Sequence, residues 1–213
     1  MDPGNRGDGR MMRHVLSDEL GDFAAIYDED VEVVSVSRPQ AGACAVFSER
    51  LISSRQIPHL RWMQAANDYN APAKVLPASI DVDVLSALSD TIAEAGELLG
   101  MLLDCEQVGV RLEILSAPMC PRFHVDFVHC RMLTTLSGVG TDWIPNDDVD
   151  WDVFMDLNAT ARPVKADAEI HQLPTGNWSL LKGGKWSDHF DGVVHRSPHV
   201  TSERLLLSLD PIL

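Results

Sequence analysis

The sequence predicts an α+β fold in which an N-terminal helical portion supports a C-terminal β barrel. Three observations predict it. The strongest helical periodicity lies at 81–103. Beyond residue 107 the apolar pattern changes to short β-like runs broken by Gly and Pro turns. The length of 213 residues, with 45% hydrophobic and 23% charged side chains, suits one domain with a substantial core.

Residues 1–14 read as a flexible leader, because the run Met-Asp-Pro-Gly-Asn-Arg-Gly-Asp-Gly-Arg contains no apolar signal segment. Residues 15–107 form the helical portion. Ser17 is placed to cap a short helix over Asp18 to Tyr27. Val31 to Ser37 alternates as a strand. A helical stretch is expected near Phe47 to Ile52. Pro58, Pro72 and Pro77 then punctuate a loop-rich region holding Trp62 and Tyr69. From Asp81 to Leu103, Asp81 or Asp83 can cap a helix whose apolar stripe includes Val84, Leu88, Ile92, Ala95 and Leu99. Such a stripe belongs to a helix lying on a sheet.

Residues 108–213 form the β core. Strands are expected over Val108 to Leu115, Phe123 to Ser137, Ile170 to Leu173, Asn177 to Lys182, Val193 to His195 and Arg204 to Asp210. The acidic stretch Asn146 to Leu157 is expected to hold a short helix.

Charge excludes one large class. The chain carries 32 acidic against 17 basic residues, a net charge of −15, and shows no basic stripe to neutralise phosphates. That argues against nucleic acid and favours cationic or metal partners. No stretch approaches the ~20 apolar residues of a membrane helix, so the expectation is a cytoplasmic protein without a membrane partner. Cys44, Cys105, Cys120 and Cys130 form no CxxC pair and no zinc-finger spacing. Cys44 and Cys105 are expected to be buried small hydrophobes.

The segment Cys120-Pro-Arg-Phe-His-Val-Asp-Phe127 is the most informative in the chain. On a strand, Phe123, Val125 and Phe127 point one way while His124 and Asp126 point the other, about 7 Å apart at Cα. A polar pair sharing one buried face needs a partner, and a cation supplies one. Imidazole and carboxylate suit Fe(II), Mn(II), Zn(II) or Ni(II). A lone His-x-Asp is common, so the second piece matters. Pro174 to Gly184 reads as turn, strand, turn. His195 lies 71 residues after His124, at the end of a short apolar strand, and Arg204 opens the last strand nine residues later.

This order of His-x-Asp, distal His and late Arg resembles the Fe(II)/2-oxoglutarate-dependent dioxygenases and cupin-like proteins. The resemblance covers about residues 108–213. It implies a double-stranded β-helix (a jelly-roll or cupin-like barrel), with His124, Asp126 and His195 as metal ligands. It also implies Fe(II) and 2-oxoglutarate as cofactors, Arg204 as the clamp for the cosubstrate carboxylate, and a small-molecule or protein side-chain substrate. More closely, the chain resembles a bacterial family of unknown function with C-P-x-F-H-x-D and H-R-S-P motifs, here Cys120 to Asp126 and His195 to Pro198. That likeness implies an alternative: a zinc- or other metal-binding protein of metal homeostasis without oxygenase activity. An inert barrel with ordinarily bonded histidines is the third reading. Oligomers are open, since cupin-like barrels often pair through edge strands.

Strand parity puts Arg204 on a face with Leu206, Ser208 and Asp210, where a guanidinium fork suits a carboxylate. A structural pairing of Arg204 with Asp210 or Glu203 is the competing assignment. Arg131, Lys182 and Arg196 are rival carboxylate partners near the site. Cys120, four residues before His124, can approach a metal if Pro121 bends the chain, which would favour zinc. Cys130 is too distant, His129 has the wrong parity, and His14, His59, His171 and His189 are expected on the surface or at loop edges. Trp143, Trp178 and Trp186 are expected in the core or cavity wall.

Overall fold

The computed structural model describes residues 12–38, 48, 51–53, 59–200 and 202–213. Its strands are β1 (Arg13–Ser17), β2 (Val31–Val36), β3 (Leu60–Ala65), β4 (Gln107–Leu115), β5 (Cys130–Ser137), β6 (Asp142–Ile144), β7 (His171–Gln172), β8 (Trp178–Lys182), β9 (Val194–Arg196) and β10 (Arg204–Ile212). The seven-stranded sheet runs β1-β2-β8-β5-β10-β4-β3, and a three-stranded sheet runs β7-β6-β9. The β1–β2 pair is parallel. The other pairs of the larger sheet are antiparallel.

Strand β10 organises the larger sheet. It pairs with β4 from Arg204↔Leu115 to Ile212↔Gln107 and with β5 on its other side. Its alternation sorts side chains between two environments. Leu205, Leu207 and Leu209 enter the main core, while Arg204, Leu206 and Ser208 line a cavity on the opposite face.

Helix α1 (Ala71–Val75) precedes the long helix α2 (Val82–Leu103) that covers the main core. Asp81 caps α2, its carboxylate accepting from the backbone N–H of Asp83 and Val84, a contact worth about 1 kcal/mol. Val84, Leu88, Ile92, Ala95 and Leu99 are buried at helical spacing, and each large side chain contributes roughly 1.5–3 kcal/mol. Gly96 permits the closest approach to the end of β3. A Cβ there would stand 2.3 Å from the Ala66 carbonyl oxygen. Among the described residues no helix is long and apolar enough to cross a membrane.

The smaller sheet packs onto the other face of the larger one. Trp143 of β6 and Val193 meet Val33, Leu133 and Leu181. Its outer side carries Phe123, Ile144, Val149 and Val194, beside the short helix α3 (Trp151–Met155).

Several expectations are corrected. The boundary at 107/108 does not separate support from sheet, because β1, β2 and β3 all join the larger sheet. β1 starts at Arg13, inside the expected leader, and residues 1–11 lie outside the described residues. Ser17 ends β1 rather than capping a helix. Leu20–Tyr27 is a 3-10 helix with Glu19 at its N-cap. The loop-rich region contains β3. The acidic stretch splits into a 3-10 turn at Asn146–Asp148 and α3. The expected long strand from Phe123 begins only at Cys130, because the chain before it turns across Gly183 and Gly184, whose N–H groups donate to the carbonyls of His129 and Asp126. The stretch near Phe47 to Ile52 falls largely outside the described residues, as does Cys44. Cys105 and Cys130 are buried and Cys120 is exposed.

Candidate metal centre

Two segments distant in sequence are tied together by backbone. His124 and His195 form an isolated antiparallel bridge, each N–H donating to the other's carbonyl at 2.9 Å. On β9, Val194 points to the outer apolar cluster and His195 points inward, nearly buried. The imidazoles of His124 and His195 therefore stand side by side, with ring centroids 4.6 Å apart.

Asp126 completes the group. One carboxylate oxygen lies 3.1 Å from His195 Nε2 and the other 3.8 Å from His124 Nε2. The three ligand atoms all lie within 4.8 Å of one another. Ligands about 2.1 Å from one ion stand about 3 to 4 Å apart, which is the spacing of these contacts. The tautomers suit a cation as well. Nδ1 of His124 lies 3.0 Å from the Arg122 carbonyl, and Nδ1 of His195 lies 3.0 Å from the Val193 carbonyl. A carbonyl only accepts, so each Nδ1 carries a proton and Nε2 is the atom each ring turns to the centre. The Nε2 proton through which His195 bonds Asp126 at 3.1 Å is the one a cation would displace.

Electrostatics favour the ligating forms. Burial, then the neighbouring His195, lowers the His124 pKa. Burial alone would raise Asp126. The hydrogen bond and charge of His195, with Arg131 and His124, override it and hold the carboxylate well below its usual range. Arg131 bridges two carboxylates. Its Nη1 donates to Asp126, while its Nε and Nη2 donate to Asp210 at 2.6 and 2.7 Å.

Arg204 lies across the same cavity of about 110 Å³, which is also walled by His124, Asp126, His195 and Arg131. It is 1% exposed. Its guanidinium donates to Ser197 Oγ at 3.2 Å and to the hydroxyls of Thr135 and Thr141 at 3.1 Å. Its Nε is buried without a partner among the described residues. Burial pushes its pKa down to about 10, with Asp142 the opposing charge. The competing assignment of Arg204 to Asp210 does not hold, because Asp210 bonds Arg131, and Arg111 at 3.4 Å. A fixed fork of donors whose bonds all go to hydroxyls is built to receive an anion.

The remaining sequence candidates separate. Cys120 is exposed on the cavity wall but outside the ligand group. Its carbonyl accepts from Ser197 N–H at 3.0 Å. Arg196 also lines the cavity, donates to Asp142 at 3.0 Å and stacks 4.5 Å over Phe123. Lys182 sits elsewhere. It pairs with Cys130 across the sheet and donates to the Asp28 carbonyl at 2.8 Å. His129 stacks on Trp186. His14 is not a surface residue: it packs edge-on to Trp143, and burial pushes its pKa down to about 4. Sequence reasoning missed Thr135, Thr141, Ser197 and the cavity-lining Glu113. Parity along β5 with Leu133 is the signal that finds Thr135.

Solved structures share this architecture. A Pseudomonas putida prolyl-4-hydroxylase aligns with TM-score 0.51 and 13% identity, over 91% of this chain and 98% of that one. A full-length Neurospora crassa protein in complex with alpha-KG aligns with TM-score 0.51 and 9% identity, over 97% and 87%. The Arabidopsis thaliana dioxygenase for auxin oxidation, in binary complex with 2-oxoglutarate, aligns with TM-score 0.50 and 8% identity, over 95% and 92%. The chain thus has the fold of these proteins, and at such identities the likeness is one of fold. By sequence it belongs to the family described as protein of unknown function (DUF1826), whose model matches residues 17–210. No curated protein matches it.

Proposed function

We propose that this protein is an Fe(II)- and 2-oxoglutarate-dependent oxygenase acting on a small molecule or a protein side chain, its two sheets forming a double-stranded β-helix around the site. One observation carries the reading: the His124, Asp126 and His195 group shares a cavity with the buried Arg204 fork, whose bonds go to hydroxyls. Two of the proteins with this fold hold 2-oxoglutarate or alpha-KG.

Iron held there, with 2-oxoglutarate and O₂, supplies the oxidative chemistry. The protein's part is positioning and charge. His124 and His195 present Nε2 because their Nδ1 protons are committed to the Arg122 and Val193 carbonyls. Asp126 brings a negative charge that Arg131 keeps in place. Two imidazoles and one carboxylate leave further coordination positions free for substrate ligands. Arg204 takes the distal carboxylate, with Ser197, Thr135 and Thr141 fixing the plane of its fork. A buried guanidinium with no carboxylate bonded to it among the described residues carries a desolvation penalty, which an anionic cosubstrate would relieve.

A second reading is zinc binding without turnover, because two imidazoles and one carboxylate suit zinc as well as iron. Anaerobic titration of the purified chain with Fe(II) and then 2-oxoglutarate separates the two. The oxygenase reading expects a visible charge-transfer band that is absent in His124→Ala. Tight zinc binding with no response to 2-oxoglutarate establishes the second reading, and absence of any metal binding overturns both.

A further inference from the structure

A second cleft, of about 160 Å³, lies beside the metal centre on the outer side of the smaller sheet. Three of its lining residues are arginines, Arg122, Arg162 and Arg196, and none is a carboxylate. That is unexpected in a chain with 32 acidic and 17 basic residues. Phe123 and Phe154 supply apolar wall and Thr160 a hydroxyl.

Two of the three arginines, Arg122 and Arg162, have no carboxylate partner among the described residues. Arg122 is fixed by the carbonyls of Leu157 and Asp156, both at 2.7 Å. Carbonyls take two of its five donors and bring no formal charge. Arg196 commits its Nε to Asp142 and stands with Cζ 4.5 Å from the Phe123 ring centroid, with both terminal nitrogens unbonded among the described residues. Arg162 makes no hydrogen bond or ion pair among the described residues and is exposed. The lining itself is basic and lies beside an aromatic wall, although Asp142 is bonded to Arg196 and the segment that supplies Val153 and Phe154 also carries Asp150, Asp152 and Asp156. Guanidinium forks match the oxygens of phosphates and carboxylates.

We propose that this cleft binds a small organic dianion, a phosphate monoester or dicarboxylate carried on an apolar body. The site is independent of the metal reading. Arg196 lines both the cleft and the metal cavity, so a bound anion would lie next to the chain segment that carries His195.

Calorimetric titration of the full chain with phenyl phosphate, phthalate and inorganic phosphate tests the site. The arms distinguish a phosphate ester from an aromatic dicarboxylate, and the inorganic ion measures what the apolar wall adds. Phenyl phosphate or phthalate should bind at least tenfold tighter than inorganic phosphate. Arg162→Ala, at an exposed position, should weaken that binding about tenfold, and Arg162→Lys should restore part of it. Arg204→Met should leave it unchanged. Binding that is lost in Arg204→Met but kept in Arg162→Ala would put the anion in the metal cavity and overturn the proposal. No binding of any probe at millimolar concentration would overturn it too.

Discussion

His124 and His195 are joined backbone to backbone, each N–H donating to the other's carbonyl at 2.9 Å, although 71 residues separate them. Their imidazoles are therefore set side by side by backbone pairing. Removing one ring should leave the fold intact and abolish tight metal binding. At a metal concentration a hundredfold above Kd, the unaltered chain should gain about 2.7 kcal/mol of stability. For a domain of this size that raises Tm by roughly 5–10 °C. In His195→Ala the apo melting temperature should stay close to the original, and the metal-dependent rise should disappear. Differential scanning fluorimetry with and without Fe(II) or zinc reads both.

Arg204 sets stability against binding. It is fully buried, and among the described residues its bonds reach hydroxyls only. A buried charge with no carboxylate partner among the described residues carries a desolvation penalty that an apolar side chain does not, and the hydroxyls of Ser197, Thr135 and Thr141 can turn to other acceptors when the guanidinium is gone. Arg204→Met should thus melt at the same temperature or higher. The same variant should bind 2-oxoglutarate at least tenfold more weakly, while metal affinity is retained. Arg204→Lys should not restore cosubstrate binding, because a single ammonium cannot reproduce the planar fork. A destabilised Arg204→Met with normal cosubstrate binding would make this residue a structural one.

Much of this was legible where a residue's own chemistry determined its environment. The α2 stripe and its Asp81 cap follow from local periodicity and capping. The parity of β10 separates Leu205, Leu207 and Leu209 from Arg204. The pairing of His124 and Asp126 on one side was also readable, though for an incomplete reason. Their segment is not part of a long strand, and the turn at Gly183 and Gly184 that interrupts it depends on bonds to residues more than fifty positions away. β1 and β3 were hidden because each lies at an edge of the sheet. An edge strand with exposed Arg61 and Met63 lacks the apolar continuity that marks a buried one. β6 has three residues, too few for any period to show. The Asp210 bond to Arg131 was unreadable because it joins two strands through long side chains.

Glu32 should impose a pH dependence on stability. Its side chain is fully buried, accepting from the Asn146 backbone N–H and side-chain amide. Burial raises its pKa from 4.5 to about 7, with Asp147 adding to the rise and Asn146 and Lys182 opposing it. The folded value lies above the unfolded one, so the stabilisation is complete below about 4.5 and is lost as pH climbs through 7. At about 1.36 kcal/mol per unit, about 2 to 3 kcal/mol should disappear between about pH 5 and pH 8. His14, whose pKa is lowered to about 4, acts with the opposite sign, so the comparison is made against Glu32→Gln. Urea unfolding of the two proteins at both pH values should show their difference changing by that amount. A constant difference would refute the assignment.

Arg131 is a positioning residue for the centre, because it holds Asp126 while its other nitrogens are anchored on Asp210 of β10. Partners of this kind typically contribute about 10–100-fold in metal affinity. Lysine has one ammonium in place of a fork and cannot keep both carboxylates in register. Arg131→Lys should therefore weaken metal binding about tenfold or more in a chelator competition. Asp210→Asn leaves the Arg131–Asp126 contact in place but loosens its anchor, so its loss should be smaller and of the same sign. Both proteins should melt as single transitions, which separates misplacement of Asp126 from unfolding. If Arg131→Lys binds metal as tightly as the unaltered chain, Asp126 is positioned by the two histidines alone, and the bridge to β10 serves only the sheet.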